Sequence, residues 1–139
     1  MDDAARREAN KAVIREIYTN LYEWAGNDAE FWRQYFTDDY VMEMPQMGTR
    51  SEGLDALLEG IRSVPQNFSK WRHATFEFHD CVDPDEMIWE ADADAVFRHS
   101  GEPYEQRYVI FAMMRDGKIA RYSEYVNMNA LAGFPGREA

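Results

Sequence analysis

The sequence is short of several things, and each shortage closes a class of function. It has one cysteine, Cys81, so no disulfide can form within the chain. No apolar run approaches the roughly 20 residues that a membrane-crossing helix needs. The opening residues, MDDAARREANK, are charged and lack an apolar h-region. No signal peptide is expected from them, and the protein reads as cytoplasmic. Bases are outnumbered, with 15 Lys and Arg against 26 Asp and Glu, for a net charge of −11. A phosphate backbone or an anionic lipid surface would be repelled, so neither nucleic acid nor membrane is an expected partner. Gly-x-Gly-x-x-Gly, P-loop and Gly-x-Ser-x-Gly patterns are all missing, which leaves nucleotide cofactors and serine hydrolysis without support. Without a His-x-x-x-His pair or a cysteine cluster, no metal is expected. The expectation is a protein that needs no cofactor.

What the chain has in quantity is aromatic side chains, 14% of its 139 residues. Large amphipathic rings suit the wall of a pocket for a flat organic molecule. The length fits one domain, 1–139, able to bury a core.

Hydrophobic spacing gives the elements. Val13, Ile17, Leu21 and Trp24 recur at helical intervals, with Ile14, Tyr18, Tyr22 and Ala25 beside them, which predicts a helix over 4–25. Gly26-Asn27-Asp28 stops it, and 28–36 reads as a short second helix carrying Phe31, Trp32, Tyr35 and Phe36. Residues 40–45 alternate like a strand, closed by Pro45 and Gly48. Ser51 is the expected N-cap of a third helix through Leu57, Leu58 and Ile61, ended at Val64-Pro65. The period then changes to two. Strands are expected over 72–82, 86–98, 104–115 and 118–127, with turns at Asp83-Pro84-Asp85, Ser100 to Pro103, and Asp116-Gly117. Helices first and hairpins last make an α+β domain: three N-terminal helices on a strongly curved, mainly antiparallel sheet. A hollow between helices and sheet is where a ligand would sit.

The segment from Phe68 to Asp94, with Trp71, Asp83-Pro84, Trp89-Glu90 and Asp92, resembles the phenazine-biosynthesis A/B proteins. So do Tyr108, Asp116-Gly117-Lys118-Ile119, Arg121 and Glu124-Tyr125-Val126-Asn127. The wider superfamily holds SnoaL-like polyketide cyclases, ketosteroid isomerases and nuclear-transport-factor-two-like proteins, and the resemblance covers nearly the whole chain. It implies a cone-shaped α+β barrel, a homodimer formed through the outer sheet face, and acid–base catalysis in a mostly apolar pocket without metal or organic cofactor.

Glu124 is the first candidate. On a period-two strand it shares a face with Ala120, Tyr122 and Val126. A carboxylate on an apolar face has a raised pKa and suits proton transfer. The resemblance also places the family's catalytic Glu here. It places an oxyanion-holding tyrosine at Tyr18 and a pocket tyrosine at Tyr108. Arg107, adjacent to Tyr108, faces the other way, toward outer acids such as Glu90, Asp92 or Asp94. Glu43 lies beside the position of the steroid-isomerase base, but the second acid of that pair is Met44 here; a one-residue offset reverses the face, so Glu43 either serves the pocket or points outward. His73 and His79 share parity with Thr75 and Glu77, either in the pocket or on the surface; where the phenazine-type pattern keeps a pocket His, this chain has Ala74. Tyr22 and Tyr122 are expected to line the pocket, Trp71, Trp89, Phe76 and Phe78 to be pocket wall or core, and Trp32 and Tyr35 to close its mouth. Met42, Met44, Met47, Met113 and Met114 suit either an adaptable lining or ordinary core.

Two functions follow. One is a cofactor-independent isomerase, cyclase or lyase acting on a small, flat, hydrophobic carbonyl or phenolic compound. The other is a non-catalytic binder of such a compound.

Overall fold

The first helix starts where Asp2 accepts a hydrogen bond from the Ala5 amide at 2.7 Å, filling one of the donors that every helix start leaves open. This helix, α1, runs Asp3–Trp24 and buries Ile14, Ile17, Tyr18 and Leu21. The computed structural model describes residues 1–136; the last three residues of the expected domain lie outside that range. Asp28 caps α2 by accepting from the Phe31 amide. This helix is only Ala29–Trp32, shorter than expected, because the chain turns extended at Phe36.

Strand β1 is Phe36–Met44, followed by a 3-10 turn at Pro45–Met47 and a short strand, β2, at Thr49–Glu52. Ser51 therefore sits in β2 and caps nothing. The third helix, α3 (Gly53–Asn67), takes Glu52 at its N-cap without a side-chain bond, and Gly53 supplies the positive φ of 85° at the junction. Pro65 lies inside this helix instead of ending it. It falls in the last turn, where Asn67 Nδ2 donates to the Ser63 carbonyl (3.0 Å) and Arg98 Nε to that of Pro65 (2.9 Å). Carbonyls that a helix end leaves open are thereby satisfied.

Strands β3 (Phe68–Asp80), β4 (Glu86–Phe97), β5 (Arg107–Arg115) and β6 (Lys118–Val126) follow, then a 3-10 strap at Met128–Gly133. At the β5–β6 hairpin Asp116 and Gly117 both have positive φ, as a tight two-residue turn requires. The sheet order is β2-β1-β6-β5-β4-β3, antiparallel except for the parallel β1–β6 pair.

That order forces curvature. In a flat sheet β1 and β3 would stand about 19 Å apart, beyond the ~10–12 Å width of one helix. Yet α3 packs on both, so the sheet curls around it. The barrel of the expectation is an open cone, with β2 and β3 as its edges.

Bulges help to set which side chains face inward. The β3–β4 register slips between Ala74 and Glu77, with Thr75 at φ 50°. The β5–β6 register slips where Met113 pairs with Arg121 but Met114 with Ile119. One extra residue reverses the alternation beyond it. Ile119, fully buried, thus takes the inward place expected of Ala120. Trp32, Trp89, Ile110 and Ile119 are sealed in the core. Among the described residues no helix is long and apolar enough to cross a membrane.

Candidate active site

Between α1, α3 and the concave face of the sheet lies a cavity of about 400 Å³. One side is aliphatic and sulfur-bearing: Leu21 of α1, Leu57 and Ile61 of α3, and Met42, Met44 and Met47. The other side carries phenols: Tyr18 of α1, Tyr40 of β1, Tyr108 of β5 and Tyr122 of β6, with Trp71 of β3 beside them. Glu124 reaches in from β6 on the same face as Tyr122 and Val126.

The Tyr122 hydroxyl donates to Glu124 Oε1 at 2.7 Å. Glu124 is half-buried and lines the cavity. Loss of hydration pushes its carboxyl from the ordinary 4.5 up to about 7, while the bond from Tyr122 pulls the other way. Near neutral pH the acid and its carboxylate are therefore comparably populated. Burial holds Tyr18, Tyr40, Tyr108 and Tyr122 protonated, and the nearby Glu124 charge adds to the effect at each. The result is one carboxyl that titrates, ringed by four phenols that stay hydrogen-bond donors. Trp71 Nε1 donates to the Tyr108 oxygen at 3.2 Å and fixes that ring. The Tyr40 hydroxyl, held protonated, lines the cavity from β1.

His73 is 1% exposed and stands one layer behind the cavity wall, not on it. Its ring is sandwiched between Tyr18 (4.8 Å) and Tyr108 (4.6 Å). Burial drives its pKa from 6.5 down to about 3, so it is neutral. Its Nδ1 accepts from Trp89 Nε1 at 3.4 Å, which assigns the proton to Nε2, an atom without a partner among the described residues. His79, past the Thr75 bulge, lies outside, with Nε2 2.7 Å from Glu90.

Several expected lining residues lie elsewhere. Tyr22, one position past Leu21, turns away from the cavity and accepts from Arg98 Nη2 at 3.1 Å. Trp32 sits behind Phe36, which itself lines the cavity, so it is core rather than mouth. Tyr35 stacks on Trp24 and donates to Glu16 Oε1 at 3.2 Å, away from any mouth. Glu43 alternates with Met42 and Met44, so it faces outward and pairs with Arg121 (2.7 Å) and Arg50 (3.4 Å). Phe76, turned inward by the bulge, packs on His73 and Phe78 without reaching the cavity. Arg107 pairs with Asp92 (3.0 Å), Glu77 and Glu90 on the outer face. The potential metal ligands Glu77, His79 and Glu90 meet at the same place, where the Arg107 guanidinium already supplies the positive charge.

Sequence reasoning passed over Tyr40. The alternation Tyr40-x-Met42-x-Met44 carries the signal, because Met42 and Met44 line the cavity and Tyr40 shares their parity. It also passed over Leu131 and Phe134, which reach the cavity from the C-terminal strap and its end. No periodicity marks them.

Residues 14–122 match the family model described as the SnoaL-like domain. The chain belongs to the SnoaL-like family. A curated relative, the uncharacterized protein YesE of Bacillus subtilis (strain 168), is 27% identical over 119 residues, 83% of this chain and 79% of that protein. Among solved structures, a Bacillus subtilis protein provisionally described as an isomerase superposes with a TM-score of 0.78 at 24% identity, covering 99% of this chain and 98% of the other. A phenazine biosynthesis-related protein of Pseudomonas aeruginosa superposes with a TM-score of 0.73 at 19% identity, covering 94% and 87%. At these identities the likeness is one of fold.

Proposed function

We propose that this SnoaL-like protein is a cofactor-independent acid–base enzyme of the isomerase, cyclase or lyase type. Its substrate would be a small, flat, hydrophobic carbonyl or phenolic compound held in the tyrosine-lined cavity. The observation that carries this reading is Glu124, a half-buried carboxyl among phenols, its pKa pushed up to about 7 by loss of hydration. A protein that only binds an apolar guest has no use for a desolvated acid, which lowers its stability.

In this reading the Glu124 carboxylate takes a proton from a carbon next to a carbonyl. The electron pair of that C–H bond moves to the carbonyl oxygen, and Tyr18 or Tyr108 donates a hydrogen bond to the charge that develops there. The protonated Glu124 then returns the proton at another atom of the same substrate. No redox partner is needed. Each phenol donor would lower the barrier by about 3 kcal/mol in a dry site. Glu124→Gln keeps the shape and removes the titrating group. With a substrate in hand, turnover should fall by at least about 100-fold; turnover preserved within about threefold would remove Glu124 as the base.

The family resemblance also supports a homodimer joined through the outer sheet face. Phe111, Met113 and Tyr125 stand exposed there, 43%, 36% and 37%, on β5 and β6.

A further inference from the structure

The cavity lining holds no Lys, Arg or His among the described residues; its one group that ionises near neutral pH is Glu124, an acid. The polar groups of α3 at the cavity do not change this. Ser63 Oγ donates to the Gly60 carbonyl at 2.6 Å, one Asn67 Nδ2 proton goes to the Ser63 carbonyl at 3.0 Å, and neither side chain carries charge. The phenols can donate to a neutral oxygen, but they bring no positive charge. A ligand carboxylate or phosphate would thus be desolvated beside a second negative group with no counter-charge in reach. The net charge of −11 adds a long-range field of the same sign.

Hydroxyl donors remain for a neutral guest. The Tyr40 hydroxyl lines the cavity, and burial together with the nearby Glu124 charge keeps it protonated. The Tyr122 proton is engaged with Glu124, and the Tyr108 oxygen accepts from Trp71. A protonated hydroxyl beside a hollow suits an acceptor on the guest.

We infer that the cavity takes an uncharged ring compound bearing a hydroxyl or carbonyl oxygen, received by Tyr40, and rejects the carboxylated counterpart of the same skeleton. This rests on the cavity assigned above as the functional site and adds the charge class of its guest.

The test is calorimetric titration of the full chain at pH 7.5 with 2-naphthol and with 2-naphthoate, which share a ring system and differ in charge. The neutral compound should bind, and the carboxylate should bind at least about tenfold more weakly. Tyr40→Phe should weaken 2-naphthol by several-fold and leave naphthalene binding unchanged. Equal or tighter binding of 2-naphthoate overturns the inference, as does failure of both probes to bind. An unaltered affinity for 2-naphthol in Tyr40→Phe overturns the role of Tyr40. These measurements read binding alone. A protein that binds 2-naphthol and turns over no carbonyl or phenolic compound keeps this inference and loses the enzymatic one; one that processes a carboxylated substrate through Glu124 does the reverse.

Discussion

Tyr122 and Glu124 lie two residues apart on β6, and the phenol donates to the carboxyl at 2.7 Å. Side chains at i and i+2 of a strand share a face, so the strand itself brings donor and acceptor together inside the cone. The bond favours the charged carboxyl, whereas burial favours the neutral one, and burial wins. This balance leaves the group close to neutrality.

Tyr122→Phe removes the opposing effect. The Glu124 pKa should then rise above its present value of about 7. Chemical denaturation across pH 6–9 is the check. The pH at which stability stops declining should move upward in the variant, and an unchanged profile would show that the hydrogen bond does not act on this titration.

Glu124→Gln should stabilise the protein in alkali and not in acid. The folded carboxyl titrates near 7 and the ordinary one near 4.5. Between these values the folded state holds a proton that the unfolded state has released, so stability falls as pH rises through that window. Above pH 7 the full cost is present, on the order of 3 kcal/mol. Gln has no such titration. The variant should exceed the wild type by about that amount near pH 8 and match it near pH 4, measured by urea midpoints at both values.

Gly133→Ala tests the C-terminal strap. A Cβ at Gly133 would lie 2.5 Å from Phe97 Cε2 and 2.9 Å from Cζ. Phe97 is buried among Phe68, Tyr104 and Phe134 and has little room to yield. The substitution should cost about 1–3 kcal/mol. It should also shift Leu131 and Phe134, which line the cavity, and so weaken ligand binding more than a remote change of equal cost. Thermal melts with and without a bound ligand separate the two effects.

Phe111→Lys tests the outer face. Phe111 packs edge-on against Tyr125 at 5.8 Å, and both are exposed in the single chain. Sedimentation should show a wild-type dimer that shifts toward monomer in the variant with secondary structure intact. A wild type that is monomeric at every concentration would count against the interface.

Much of the fold was legible because its signals are local and periodic. The helical spacing of Ile14, Ile17 and Leu21 and the Asp116-Gly117 turn each determine an element within a few residues. Glu124 was legible for the same reason, since Tyr122, Glu124 and Val126 keep strict alternation beyond the β6 bulge. What failed depended on single-residue events or on long-range packing. The bulge at Thr75 puts His73 and Phe76 on the inner side despite their odd separation, and no residue pattern announces it. Tyr22 and Tyr18 sit one helical turn apart, but only a narrow stripe of α1 meets the cavity. Trp32 and Tyr35 were misplaced because α2 ends early and Phe36 takes the wall in front of Trp32. Strand β2 is four mostly exposed residues with no apolar alternation to reveal it.

The most direct test is a carbon-13 NMR titration of the Glu124 carboxyl in the unliganded wild-type protein, assigned with Glu124→Gln. A midpoint near 7 would confirm an acid held out of water and able to give and take a proton at neutral pH. A midpoint near the ordinary 4.5 would mean that the carboxyl is solvated, and would contradict the account at its centre.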